Sequence, residues 1–125
     1  MFRRADFDVW QFIAGGGEDN EKTIQAALRE IKEETGVTAE KLTELKSVAF
    51  VPAEVVAKNL RAYWDKNIFV IPEYSFAFEC NADPTISREH SEYQWLPYND
   101  ARKLLKWESN KVAMYEIMCR LGNNV

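Results

Sequence analysis

From Glu21 to Gly36 the apolar residues fall at Ile24, Ala27, Leu28 and Ile31. Spacings of three and four put them on one stripe of an α-helix. Asp19 or Asn20 offers a side-chain cap for a start near Glu21, and Gly36 offers the left-handed residue just past the end. Residues 9–14 predict a short strand running into a glycine loop. Leu45, Val48, Phe50 and Val51 mark a strand over residues 42–51, stopped by Pro52. Residues 53–67 read as a short helix or a loop. A β-prone run at 68–71 precedes Pro72; then Tyr74, Phe76, Phe78 and Cys80 alternate with Ser75, Ala77 and Glu79, as a half-buried strand does. A polar loop over 83–92 leads to a strand at 93–96. Asn99 and Asp100 cap a helix whose inner face holds Ala101, Leu104 and Leu105. Residues 107–111 break it, and a last helix runs from about Lys111 to Leu121, stopping at Gly122. The order β, α, β, β, β, α, α calls for an α/β fold with helices packed on a sheet.

Composition narrows the setting without naming a chemistry. The 125 residues predict one domain over 1–125. An apolar share of 46% with 29% charged residues is that of a globular chain. A formal charge of −4 argues against long nucleic acid as a partner, though not against a small polyphosphate whose charge metal ions neutralise. No apolar run approaches the roughly 18 residues of a membrane span, and residues 1–6 lack the apolar core of a secretory signal. Cys80 and Cys119 match no zinc or redox spacing. They read as buried thiols in a reducing cytoplasm.

The predicted first helix also carries Glu30, Glu33 and Glu34. At about 100° per residue these three lie within an arc of roughly 100°, beside the apolar stripe rather than opposite it. Carboxylates at i, i+3 and i+4 repel one another, and near a core solvent screens that repulsion poorly. A divalent cation removes it, and an all-oxygen donor set favours Mg²⁺ or Mn²⁺. An isolated Glu-x-x-Glu-Glu is more often a solvated helix face. Here the entry Ala14-Gly15-Gly16-Gly17, Arg29 before the first Glu, and the exit Gly36-Val37 tip the balance. Glycines leading into a helix let backbone groups approach phosphate and metal closely.

Gly15, Glu21, Arg29, Glu30, Ile31, Glu33, Glu34, Gly36 and Val37 stand at the spacing Gly, five residues, Glu, seven residues, Arg-Glu-apolar-any-Glu-Glu-any-Gly-apolar. This run resembles the Nudix box, the signature of Mg²⁺-dependent hydrolases of nucleoside diphosphates linked to another group. The resemblance implies a Nudix-type α/β/α sandwich with a mixed β-sheet. Arg3-Arg4-Ala5-Asp6 looks like the tail of the family's long first strand, so that strand is expected to be truncated, and an exposed edge makes a homodimer plausible. It also implies that Glu30, Glu33 and Glu34 hold Mg²⁺ (or Mn²⁺) with a backbone carbonyl of Ala14 or Gly15. Arg29 would orient the carboxylates, and Glu21 would brace Arg29 or the loop. Glu30 or Glu89 would take the proton from water.

The run Glu89-His90-x-x-Tyr93-x-Trp95-Leu96 resembles a second Nudix segment. It makes Glu89 the first choice for an extra ligand or base and Glu92 the second, against a plain surface role for each. His90, the only histidine, cannot define a metal site alone and is assigned a structural part in the loop. Trp10 and Tyr74 are candidates to meet a base or pterin, with core packing the competing reading. Residues 105–113 resemble the end of bacterial dihydroneopterin triphosphate and dATP pyrophosphohydrolases. The expected function is Mg²⁺-dependent release of pyrophosphate from such a triphosphate in the cytoplasm. A diadenosine tetraphosphate hydrolase and a non-catalytic Nudix-fold binding module are the alternatives.

Overall fold

The computed structural model describes residues 1–18 and 20–122. Two antiparallel sheets form its frame. In the first, β1 (Phe2–Arg4) lies between β2 (Trp10–Gln11) and β5 (His90–Tyr93). The three-residue β1 is thus a central strand, and β5 begins three residues earlier than the alternation of residues 93–96 suggests. The second sheet pairs β3 (Thr43–Pro52) with β4 (Val70–Ala77). The two β-prone runs flanking Pro72 are one strand, with Pro72 opposite Phe50. A proline is tolerated there because β4 pairs with one strand only among the described residues, so its missing N–H falls where no ladder bond is needed. Residues 53–67 hold two short 3₁₀ turns, Ala53–Val55 and Lys58–Arg61.

Three helices complete the α/β fold: α1 (Thr23–Thr35), α2 (Tyr98–Leu104) and α3 (Glu108–Arg120). Lys22 occupies the N-cap of α1, and Gln25 Oε1 accepts its backbone N–H at 2.9 Å. Asn20 is therefore not the cap, since the helix starts two residues later than expected; Asp19 lies outside the described residues. At the other end Gly36 adopts φ 72° and donates its N–H to Lys32 O, as expected of a left-handed stop. Ala101, Leu105 and Met114 form a core cluster, with Met1, Phe12, Leu96 and Tyr98 packed on it. Leu104 is 45% exposed and leaves the inner face, because α2 ends there and the backbone turns extended at Leu105.

Strand β2 is fastened to the α2–α3 junction. Trp10 O accepts from Lys106 N, Asn110 Oδ1 accepts from Phe12 N, and Gln11 Oε1 accepts from Trp107 Nε1. The bridge Trp10–Leu105 is the one parallel pairing among the described residues. Both cysteines are free thiols, but Cys80 is half-buried and Cys119 exposed, so neither is the buried thiol expected. No described helix is long and apolar enough to cross a membrane.

Helix α3 packs on β3 through Glu116. The register steps from Glu44–Phe76 to Val48–Tyr74, so Leu45, Lys46 and Ser47 face only Ser75. This bulge frees the N–H groups of Lys46 and Ser47, and Glu116 accepts both at 2.8 Å, with the Ser47 hydroxyl at 2.7 Å and Arg120 Nε at 2.7 Å. Burial pushes the Glu116 pKa up, but these donors outweigh it and hold it at about 2. Unfolded, the group titrates near 4.5. Its contribution is thus complete above pH 4.5 and is lost as pH falls toward 2. Glu116→Ala orphans two backbone donors and is expected to cost about 2–3 kcal/mol. Urea unfolding at pH 7 and pH 3.5 checks this: the gap between wild type and variant narrows at the lower pH.

Candidate active site

The buried face of α1 follows its apolar stripe only in part: Ile31 is buried and Ala27 half-buried. Ala26, Ile31, Glu34 and Thr35 are buried, whereas Ile24 and Leu28 are 39% and 37% exposed. At about 100° per residue, Glu30 and Glu34 stand roughly 40° apart near the middle of the inward arc, with Glu33 at its margin. Two carboxylates thus share the inward face with Ala26 and Ile31. Burying carboxylates is unfavourable unless they are paired or used.

Arg29 is the hub of their pairing. Its Nε and Nη2 donate to the two oxygens of Glu21 at 2.9 and 3.0 Å, and Nη2 also donates to Gly16 O at 2.7 Å. Nη1 donates to Glu30 at 3.0 Å and to Glu33 at 3.1 Å. A planar guanidinium spans such a set where an ammonium does not. Glu21 Oε1 also accepts from Glu18 N at 2.8 Å, which ties the glycine loop to the helix. The hydrogen bonds from Arg29, then that from the Glu18 backbone, lower the Glu21 pKa.

Glu30 lies against the loop backbone at Gly15. A Cβ placed on Gly15 would come within 2.0 Å of Glu30 Cδ, so only glycine leaves room for the carboxylate. Burial raises the Glu30 pKa; Arg29 opposes this, and Glu33 and Glu34 add to it. On the next turn, Glu34 Oε2 accepts the Ser87 hydroxyl hydrogen bond and lies 3.4 Å from His90 Nδ1. The loop carrying Ser87 is docked on α1 by Thr85 N donating to Thr35 O at 2.8 Å.

The other candidates fall outside this group. Glu89 is exposed; its amide donates to Ser87 Oγ and its carbonyl accepts from Ala5 N. That backbone setting turns Ser87 and His90 toward Glu34, and the Glu89 carboxylate joins no hydrogen bond or ion pair among the described residues. Glu92 pairs with Arg3 across β1 and β5 at 3.8 Å. Trp10 is half-buried in β2, and Tyr74 is exposed on β4. Neither touches the carboxylates through a side-chain hydrogen bond among the described residues. Sequence reasoning missed Ser87, and it gave His90 no partner. The available signal was the Ser-x-x-His spacing that leads into the second family-like segment.

Among the described residues, no three His, Cys, Asp or Glu side chains converge on one point. Arg29 holds Glu30 and Glu33, while Ser87 holds Glu34. The donor chemistry nonetheless fits a hard divalent cation. The donors are carboxylate and carbonyl oxygens, and Glu30 already occupies the cleft that the absent Gly15 side chain leaves. Glu33 is half exposed, and an exposed i,i+4 ion pair of about 0.3–0.5 kcal/mol is a weak restraint on its release.

The NUDIX domain family matches residues 1–117. The dihydroneopterin triphosphate diphosphatase of Escherichia coli K12 is 34% identical over 122 aligned positions, covering 93% of this chain and 79% of that protein. The asymmetrical bis(5'-nucleosyl)-tetraphosphatase of Sus scrofa is 31% identical, covering 86% and 68%. A Listeria monocytogenes structure assigned to the NUDIX hydrolases superposes with TM-score 0.80 at 42% identity, covering 97% of this chain and 81% of that one.

Proposed function

The chain belongs to the Nudix family and is a Nudix pyrophosphohydrolase, and from that premise we propose that it uses Mg²⁺ to release pyrophosphate from a nucleoside or pterin triphosphate. The observation that carries this reading is the partly desolvated Glu30 carboxylate, held over the Gly15 backbone by Arg29. Glu30, Glu33 and Glu34 would hold the cation together with a carbonyl of Ala14 or Gly15. Once bound, Mg²⁺ makes water a better nucleophile at neutral pH and screens the polyphosphate charge.

The chain's own groups do the rest. Water oxygen bonds to phosphorus, the bridging P–O bond breaks, and pyrophosphate or the monophosphate leaves with the bridging oxygen. Glu30, held by Arg29 beside the Gly15 backbone, would accept the water proton. Arg29 fixes Glu30 against the loop, and Glu21 fixes Arg29. Similarity to the Escherichia coli dihydroneopterin triphosphate diphosphatase supports a substrate of that triphosphate type. The similarity to the Sus scrofa tetraphosphatase supports a second reading, a dinucleoside tetraphosphate.

Incubation with dATP, dihydroneopterin triphosphate and diadenosine tetraphosphate, each with and without Mg²⁺, tests both. Pyrophosphate with a monophosphate, formed only with Mg²⁺, is the expected result. ATP with AMP from the dinucleotide moves the assignment to the second substrate class. No turnover of any of the three by folded protein removes the support for both substrate classes.

A further inference from the structure

We propose that Ser87 and His90 form a positioning pair that fixes the Glu34 carboxylate as a cation ligand; the inference rests on the metal-dependent reading above and names what holds that ligand in place. Both residues approach the same oxygen, Glu34 Oε2: the Ser87 hydroxyl donates to it, and His90 Nδ1 stands 3.4 Å away. The Glu34 and His90 side chains are 8% and 3% exposed. His90 Nδ1 is the one buried side-chain polar atom without a hydrogen-bond partner among the described residues.

A buried carboxylate and a buried ring nitrogen separated by a slightly long gap form an incomplete contact. The ring nitrogen is left unsatisfied where desolvation makes that costly. The arrangement is also held on every side. The Glu89 amide donates to Ser87 Oγ, which leaves the hydroxyl proton for Glu34. The His90 ring lies against Phe2, centroids 5.1 Å apart, and His90 N donates to Ser87 O. Thr85 anchors the loop to the end of α1. With Oε2 engaged by the loop, the Glu34 carboxylate would be held in one orientation as it met a cation. Hydrogen bonds to a ligating carboxylate orient it, and losing such a partner weakens metal binding about 10–100-fold.

Mn²⁺ titration followed by the free-ion electron paramagnetic resonance signal tests this without reference to turnover. Ser87→Ala and His90→Phe are each expected to weaken Mn²⁺ binding about 10-fold or more. Ser87→Thr and His90→Asn, which keep a donor at each place, should retain most of the affinity. On a Glu34→Gln background, Ser87→Ala should add nothing, because both changes act through one carboxylate. A purely structural latch would lower the melting temperature and leave Mn²⁺ affinity unchanged. That result in folded Ser87→Ala and His90→Phe, with affinity lost in Glu34→Gln, overturns the pair alone. Unchanged affinity in Glu34→Gln itself overturns the metal assignment of Glu34 as well. His90→Phe keeps the ring packing on Phe2, so it reads the effect even if Ser87→Ala fails to fold.

Discussion

Glu30→Gln is expected to lower kcat by about 10²–10⁴-fold while leaving the domain folded and at least as stable as wild type. The amide has the shape of the carboxyl group, so it fits the same cleft over Gly15 and keeps an acceptor for Arg29 Nη1. What it loses is charge and the ability to take a proton. The charge is unfavourable to the fold: burial, Glu33 and Glu34 all raise the Glu30 pKa, and Arg29 offsets them only in part. Removing the charge therefore relieves repulsion in the apo protein, a gain in stability set against a loss of activity. Steady-state kinetics on the best substrate, paired with thermal melts, check both halves. A folded Glu30→Gln enzyme with near-wild-type kcat would remove Glu30 from the role of base.

How much of this site was legible in the sequence depends on how far apart its parts lie. Gly15, Glu21, Arg29 and Gly36 sit within one loop and one helix: the left-handed stop and the close approach at the glycines follow from local pattern, and the family resemblance implies that Glu21 braces Arg29 or the loop. The direction in which α1 faces was legible only in part. Periodicity points to Ile24, Ala27, Leu28 and Ile31 as the buried stripe; the structure buries Ile31 and half-buries Ala27, leaves Ile24 and Leu28 partly exposed, and brings Glu34 and Glu30 inward. Local hydrophobicity carries no term for that tertiary choice. The Ser87–Glu34 contact spans 53 residues, and it forms because Thr85 docks on the last turn of α1, which no local pattern encodes. Glu89 differs from its neighbours in that turn: Ser87 and His90 face Glu34 while the Glu89 side chain is exposed, a distinction the motif position does not carry. In the fold, the β-prone run before Pro72 and the alternation after it join in one strand, because proline breaks a central strand but not one at an edge.

Arg29→Lys is expected to reduce kcat about 100-fold although the positive charge is kept, because displacing a reacting group by about 1 Å can cost that much. Arg29 makes five hydrogen bonds, to both Glu21 oxygens, Gly16 O, Glu30 and Glu33. An ammonium has three donors on a flexible stem and cannot span the loop carbonyl, the Glu21 fork and two helix carboxylates at once. Glu30 then loses its restraint over Gly15, and its repulsion with Glu33 and Glu34 is less well compensated. The melting temperature of the metal-free variant should fall. Adding Mn²⁺ should raise it by more than it raises that of wild type, because a cation bound by the carboxylates takes over part of the neutralisation that Arg29 supplied. Activity should not recover in parallel, since the cation restores charge balance but not the fork that ties Glu30 to the loop. Thermal melts with and without Mn²⁺, beside kcat for Arg29→Lys, separate the two contributions. Wild-type kcat in the lysine variant would mean that charge alone suffices and that the guanidinium geometry has no part in placing the base.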